Sequence, residues 1–339
     1  MKNTPFRYAK WLFLVILLAA LLLLNLSIGS VSIPAITIFK TLMGVPSEND
    51  VWNTIILDFR LTKSLTCLLA GSALSIAGLQ MQTLFRNPLA GPDVLGLSSG
   101  ASLAVSLVLM ATSAGLGLIP AGWSIALAAA IGASCTLLLV LAVASRVQDN
   151  TSILLIGLMI GAGTASLVSV LQFMSRAEDQ QYYLIWTFGS LGGLDWGELS
   201  LLGIGLLIGF TVAVFNLKSM NAWLLGVNYA RSLGINPSLS RFLMILSASV
   251  LTGFVTAFCG PIAFVGLAVP HLVKLVVKTS DHKTLLPAVA IGGPSLLLLC
   301  DTIAQLPGSG FVLPINAVTA LVGAPVVIWV IIKGKKVYA

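Results

Sequence analysis

The chain has 339 residues and a net charge of +7, yet 58% of it is hydrophobic and only 9% is charged; its mean hydropathy is +1.03. A soluble domain carries about a quarter charged residues. A soluble enzyme is therefore excluded, and the chain reads as an all-α protein that crosses a membrane many times. The positive charge is no nucleic-acid signal, because the cations sit in short loops between apolar runs and no aromatics interleave with them.

Windows of about 20 residues predict ten spans, near 11–33, 66–84, 95–111, 123–144, 151–173, 199–215, 242–258, 262–277, 285–303 and 315–332. Residues 1–339 form one transmembrane domain with no soluble module. Lys2, Arg7 and Lys10 precede the first apolar run as in a signal peptide. That run is long, however, and Ser30-Val31-Ser32 is a poor cleavage site, so the span is expected to be retained. The longest segment between spans, 34–58, has mixed charge.

Asp58-Phe-Arg-Leu-Thr-Lys63 opens the second span. Arg60 and Lys63 are three apart and share a helix face. They either anchor the helix end at the headgroups or form a cationic spot for carboxylates on a partner. Gly78 to Ala101 is a polar break, with helix interruptions at Asn87-Pro88 and Gly91-Pro92. Asp93 is expected to cap the helix that follows, and Ser98, Ser99 and Gly100 keep its start slim. Small residues recur at Gly157, Gly161, Gly163 and Ser166, where they serve either close helix packing or the lining of a pathway. Trp186 to Trp196 is Gly-rich, implying tight turns, and its tryptophans suit a membrane interface.

Residues 216–241 are too polar to span. They carry Lys218, Arg231 and Arg241 and no acid. Ala222 to Leu233 predicts a short helix with Trp223, Gly226, Val227 and Ala230 on one face, ended before Asn236-Pro237. This basic, small-residue segment reads as a dock for another protein. Gly260-Pro261 to Pro270-His271 is a second broken stretch, and His271 reads as a hydrogen-bonded structural residue. The two broken stretches fall at similar places in two halves of opposite sense, a weak inverted repeat. Asp301, at the edge of a span, is expected to pair locally. Cys67, Cys135, Cys259 and Cys300 stand singly and read as small packing residues. No metal-ligand cluster is legible.

Charge orients the chain. With the N-terminus cytoplasmic, the inside holds Lys2, Arg7, Lys10, Arg86, Arg146, Lys218, Arg231, Arg241, Lys274, Lys278, Lys283, Lys333, Lys335 and Lys336. The outside holds Lys40, Arg60, Lys63 and Arg176 with most of the acids, Glu48 among them. Both termini and the 216–241 segment are then cytoplasmic.

Several motifs in order resemble one family: Leu84-Phe-Arg-Asn-Pro-Leu-Ala90 with Leu95-Gly-Leu-Ser-Ser-Gly-Ala101, Leu225-Gly226 with Leu233-Gly234, Gly260-Pro-Ile-Ala-Phe-Val-Gly-Leu267 with Pro270-His271, and Leu321-Val-Gly-Ala-Pro325. The chain is similar to the FecCD type of permease, the BtuC-like membrane subunits of ATP-driven importers of iron–siderophores, haem and cobalamin. The resemblance covers nearly everything after the first span. It implies a ten-span fold in the bacterial inner membrane, bathed in lipid, with alternating access at a permease dimer, homo- or heteromeric. It implies cytoplasmic ATPase subunits and an extracytoplasmic substrate-binding protein, with no cofactor bound by the permease itself and ATP used by the partner.

The resemblance places coupling helices on Asn221 to Gly234, with Leu225, Gly226, Ala230, Arg231 and Leu233 between them, and docking cations on Arg60 and Lys63. It makes Ser98, Ser99, Gly157, Gly161, Gly163 and Ser166 candidates for the pathway. Three positions depart from the family pattern: Thr62 and Lys63 stand for Pro and Arg, Gln305 for an outer Arg, and Lys274 for an Arg after Pro-His. Lys keeps the charge but loses the bidentate fork.

The chain has no Gly-x-x-x-x-Gly-Lys-Ser/Thr, so nucleotide must bind another polypeptide. An ion-coupled secondary transporter, the alternative, needs ionisable groups near the midplane, and the centres of these spans show none. An intramembrane enzyme needs paired catalytic groups, and the two histidines, His271 and His282, both lie near the predicted cytoplasmic face.

Overall fold

The computed structural model describes residues 4–47, 49–111, 121–147, 149–305 and 312–334. Lys2, Glu48, Lys335 and Lys336, which enter the charge asymmetry, lie outside the described residues. The chain runs as α1 Thr4–Ser27, α2 Ala35–Leu42, α3 Asp50–Thr54, a π-helical stretch Ile55–Leu61, α4 Thr62–Phe85, a 3₁₀ turn Pro92–Leu95, α5 Leu97–Ala111, α6 Ala121–Arg146, α7 Asn150–Met174, α8 Ala177–Thr187, α9 Trp196–Phe215, α10 Leu217–Leu224, α11 Val227–Ser232, α12 Pro237–Cys259, α13 Val265–Val277, α14 His282–Ala304 and α15 Ile315–Gly334. No strand occurs among the described residues.

Seven helices are long and apolar enough to cross a membrane, and three shorter apolar ones, in α5, α13 and α15, complete the ten predicted spans. The second span differs from expectation. Its helix is continuous from Asp50 to Phe85, so the charged stretch expected as loop and helix entry is already helical. Among the described residues four further helices, α2, α8, α10 and α11, lie between spans.

α4 is the centre of the bundle, and α9, α12, α13 and α14 surround it. It is buried nearly all round, as expected of a helix without a polar face. Its neighbours approach at glycine. A Cβ on Gly78 would lie 1.7 Å from the carbonyl oxygen of Gly266 in α13, and one on Gly71 would lie 2.6 Å from the Pro294 nitrogen in α14. Gly100 and Gly132 bring α5 and α6 together in the same way. Without a hydrophobic drive between helices in lipid, such backbone contact supplies the packing.

Asp93 does not cap α5. It sits in the 3₁₀ turn and accepts a 2.7 Å hydrogen bond from the Ser98 hydroxyl, while Gly96, at φ 74°, turns the chain into the helix. The break before α13 is made by Gly260 at φ 72° and by Phe264, a non-glycine residue at φ 68°. Asn316 holds that break by accepting the Ala263 N–H at 3.1 Å. Cys67, Cys259 and Cys300 are buried, whereas Cys135 lies on an exposed face. The Gly-rich segment after α8 turns tightly, with Gly189 and Gly193 both at positive φ.

Candidate coupling and docking surfaces

At one end of the bundle, residues 216–241 form two short helices rather than the single helix predicted over Ala222 to Leu233. The break is Gly226, at φ 111° and ψ 155°, a conformation all but confined to glycine that costs a side-chain-bearing residue about 1–3 kcal/mol. α10 inserts Met220 and Trp223, both with no exposed surface, against the core around α4. α11 inserts Ala230, also fully buried. Ala230 therefore anchors the segment to its own bundle and offers no surface to a partner, a correction to its expected place in the contact.

α11 ends in a Schellman turn. The Ile235 N–H reaches the Ala230 carbonyl at 3.1 Å and the Gly234 N–H reaches Arg231 at 3.0 Å, with Gly234 at φ 79°. Asn236 then caps α12 through the N–H groups of Ser238 and Leu239, and Pro237 occupies the first turn.

Further hydrogen bonds fix the segment from below. The Asn221 amide donates to Asp281 at 2.7 Å, and its oxygen accepts the His282 N–H at 2.8 Å and lies 2.8 Å from His282 Nδ1. Asn221 thus ties α10 to the start of α14 and is occupied within the chain. Partial burial opposes ionisation of Asp281, but the Asn221 amide and the Lys283 N–H and charge outweigh it and hold the carboxyl below its usual range. Asn216 exchanges hydrogen bonds with Ser240, donating to its carbonyl at 3.1 Å and accepting its hydroxyl at 3.2 Å.

What remains outside is an edge of Leu225 (65% exposed), Tyr229, Arg231 and Leu233 (58% exposed). Arg86, in the left-handed conformation that ends α4, stands beside it, with Nη1 3.9 Å from the Cβ position of Gly226. Sequence reasoning counted Arg86 only as a loop charge. An exposed apolar edge with basic neighbours marks an interaction surface.

The opposite end holds Arg60 and Lys63, and neither is an open cation. The Arg60 guanidinium turns back onto the end of α1, donating to the carbonyls of Leu26 at 2.9 Å, Ser27 at 3.2 Å and Val31. The Leu26 and Ser27 carbonyls are among those the α1 C-terminus leaves without partners, Val31 lies in the turn beyond it, and Arg60 is buried over them. Lys63, 21% exposed, pairs with Asp301 at 3.0 Å. The same Asp301 oxygen accepts Asn25 at 2.7 Å and Gln305 at 2.9 Å. The Asn25 oxygen in turn accepts the Ser64 hydroxyl at 2.8 Å. Only the Gln305 contact is the local pairing expected of Asp301; its contacts with Lys63 and Asn25 cross the chain and tie α1, α4 and α14 together. Asn25, a polar residue inside the first apolar run, is the member that sequence reasoning missed.

The small-residue candidates separate into two groups. Gly157 and Gly161 lie against the start of α5. A Cβ on Gly157 would meet the Val94 carbonyl at 2.4 Å, and Gly161 faces Ser99. Ser98 is tied to Asp93. These are packing positions at a helix crossing. Gly163 has nothing within 4 Å of its Cβ position, and with Ser166 it lies on an exposed face of α7. Both histidines are structural. His271 Nε2 bonds the Pro88 carbonyl at 2.7 Å, and His282 Nε2 lies 2.8 Å from the Thr83 hydroxyl.

The fold defines a multi-pass membrane transport protein with an exposed apolar, basic edge at one end. The chain belongs to the FecCD transport family, whose model matches residues 17–333. It is 35% identical to the vitamin B12 import system permease protein BtuC of Klebsiella pneumoniae over 330 residues, covering 97% of this chain and 95% of that one. It is 33% identical to the hemin transport system permease protein HmuU of Yersinia pestis over 325 residues, covering 96% and 95%. A solved inward-facing metal-chelate type ABC transporter superposes with a TM-score of 0.82 at 28% identity, covering 97% of this chain and 100% of that one. The chain is an importer permease, a transport component and not an enzyme.

Proposed function

We propose that the chain carries a bulky metal chelate, an iron–siderophore, haem or cobalamin, across the inner membrane by alternating access, as one half of a permease dimer. Both termini and α10–α11 face the cytoplasm, following the charge asymmetry of the loops. ATP is bound and hydrolysed by separate ATPase subunits that seat on the Leu225, Tyr229, Arg231 and Leu233 edge. Nucleotide-driven closure of those subunits moves the edge, and the rigid anchoring of α10 and α11 passes the motion to α4, α12 and α14. The exposed face of α7 with Gly163 and Ser166 contributes to the pathway. A substrate-binding protein docks at the Lys63 end, where its carboxylates compete with Asp301 for the partly exposed Lys63 ammonium and Arg60 braces α1.

The observation that carries this reading is an exposed apolar, basic edge locked onto the bundle of a family member that has no nucleotide motif. Replacing Leu233 by Asp tests it in proteoliposomes with the cognate ATPase and loaded binding protein. Stimulated ATP hydrolysis falls by at least about tenfold, equivalent to about 1.4 kcal/mol of coupling, with the melting temperature of the permease unchanged. Full stimulation in Leu233→Asp and in Leu225→Asp refutes the assignment of the edge.

A further inference from the structure

α12 packs on both α6 and α9, and between those two helices a trough runs along its surface. Leu127, Ala130 and Leu137 of α6 form one wall, Leu201 of α9 the other, and Gly253 and Phe254 the floor. The trough is a half-open cavity of about 200 Å³, and none of its lining residues is charged. The Ser134 hydroxyl on its wall is turned back onto the Ala130 carbonyl at 2.7 Å.

Toward the Lys63 end the trough runs into a second recess of about 190 Å³, and Ala126, Ala257 and Phe258 line both. This mouth is different in kind. Trp186, Gly192, Gly193 and Glu198 line it, and Glu198 is the ionisable residue among them. The carboxylate is positioned by the capping box of α9, where Oε2 accepts the Asp195 N–H at 3.1 Å. Lys63 packs its stem against Gly192, but its ammonium is paired with Asp301.

The dimensions select an occupant. Ala126 and Leu137 are separated by about 16 Å along α6. Spread over that length, the cavity volume of about 200 Å³ is a channel about 4 Å across, narrower than the roughly 10 Å of a helix with its side chains. A helix from a second copy does not fit, and a polymethylene chain does. Water is disfavoured in so apolar a site. The mouth lies at the level where α9 begins and α12 ends, next to Trp186, a residue type enriched at the membrane interface. A trough with an apolar body and a polar, acidic mouth matches one molecule class.

We propose that this trough is a phospholipid site: one acyl chain lies between α6 and α9, and the headgroup amine of a phosphatidylethanolamine pairs with Glu198. The site is separate from the coupling edge and from the exposed face of α7.

Native mass spectrometry of the detergent-purified full chain tests this, after equilibration with phosphatidylethanolamine or phosphatidylglycerol in mixed micelles. The wild type retains one phosphatidylethanolamine per chain in preference to phosphatidylglycerol. Gly253→Leu fills the floor and lowers retention of either lipid by at least about tenfold; Ala130→Phe does the same from the facing wall should the first variant fold poorly. Glu198→Gln keeps the capping hydrogen bond and one bound lipid but loses the headgroup preference. Retention unchanged in both trough variants overturns the site, and an undiminished preference in Glu198→Gln overturns the headgroup assignment. Loss of the dimer in Gly253→Leu with lipid retention unchanged assigns the trough to a second copy and overturns the proposal.

Discussion

Lys63 and Asp301 form a charge pair in which the acid is nearly buried and the base is one-fifth exposed. Removing one member of such a pair leaves the other without a partner, which in a fully buried setting costs about 3–5 kcal/mol; the exposure of Lys63 reduces this to about 2 kcal/mol. Asp301→Ala therefore lowers the melting temperature in detergent more than the double substitution Asp301→Ala with Lys63→Met, and that non-additivity is the reading of a double-mutant cycle. Arg60→Lys retains the charge but cannot fork over three carbonyls, and it costs about 1–2 kcal/mol by the same assay. The cations themselves were legible in the sequence as a pair three residues apart. Their partners were not, because Leu26, Ser27 and Val31 contribute backbone carbonyls, and Asp301 lies at the far end of the chain. Asn25 stayed hidden for a related reason, since one amide in a long apolar run leaves the hydropathy of the window almost unchanged.

Among the elements, the ten apolar runs became helices, most with ends within a few residues of expectation, because length and apolarity decide what crosses a bilayer; the exceptions are α1, which runs Thr4–Ser27, and the second span, whose helix already starts at Asp50. The short helices were not legible. α2 keeps Ile38 and Thr41 buried and exposes much of its remaining surface, and the π-helical stretch before α4 carries Asp58 and Arg60, which mimic a loop. Their order comes from tertiary contacts, as Arg60 shows. The glycine crossings make a sharper prediction. Gly78→Ala places a methyl group on the Gly266 carbonyl, where only backbone displacement relieves it, and it costs about 3 kcal/mol or more. Little folded protein is expected in a fluorescence size-exclusion assay. Gly226→Ala acts differently. Its Cβ meets only the tip of Arg86, so the cost is the backbone strain of about 1–3 kcal/mol and is local. The variant inserts and purifies normally, and ATPase coupling falls because the angle between α10 and α11 changes.

For the whole molecule, the charge asymmetry, the absent nucleotide motif and the family resemblance converge on a permease driven by another chain, and membership of the FecCD transport family agrees. The place of the proposed dock was legible, since a polar, acid-free segment between two spans is too long for a simple turn and too basic to enter the bilayer. Its exposed edge was not. Ala230 is buried and Asn221 is hydrogen-bonded to the start of α14, which leaves Leu225, Tyr229, Arg231 and Leu233 outside, and a helix drawn through Gly226 places those side chains on the wrong faces. The most direct measurement is uptake of labelled cobalamin, haem and iron chelates into proteoliposomes holding the permease, its ATPase and loaded binding protein. Uptake of one of these that requires ATP and persists when an ionophore dissipates ion gradients is the predicted result. Uptake that proceeds without ATP and collapses with the ionophore would contradict it.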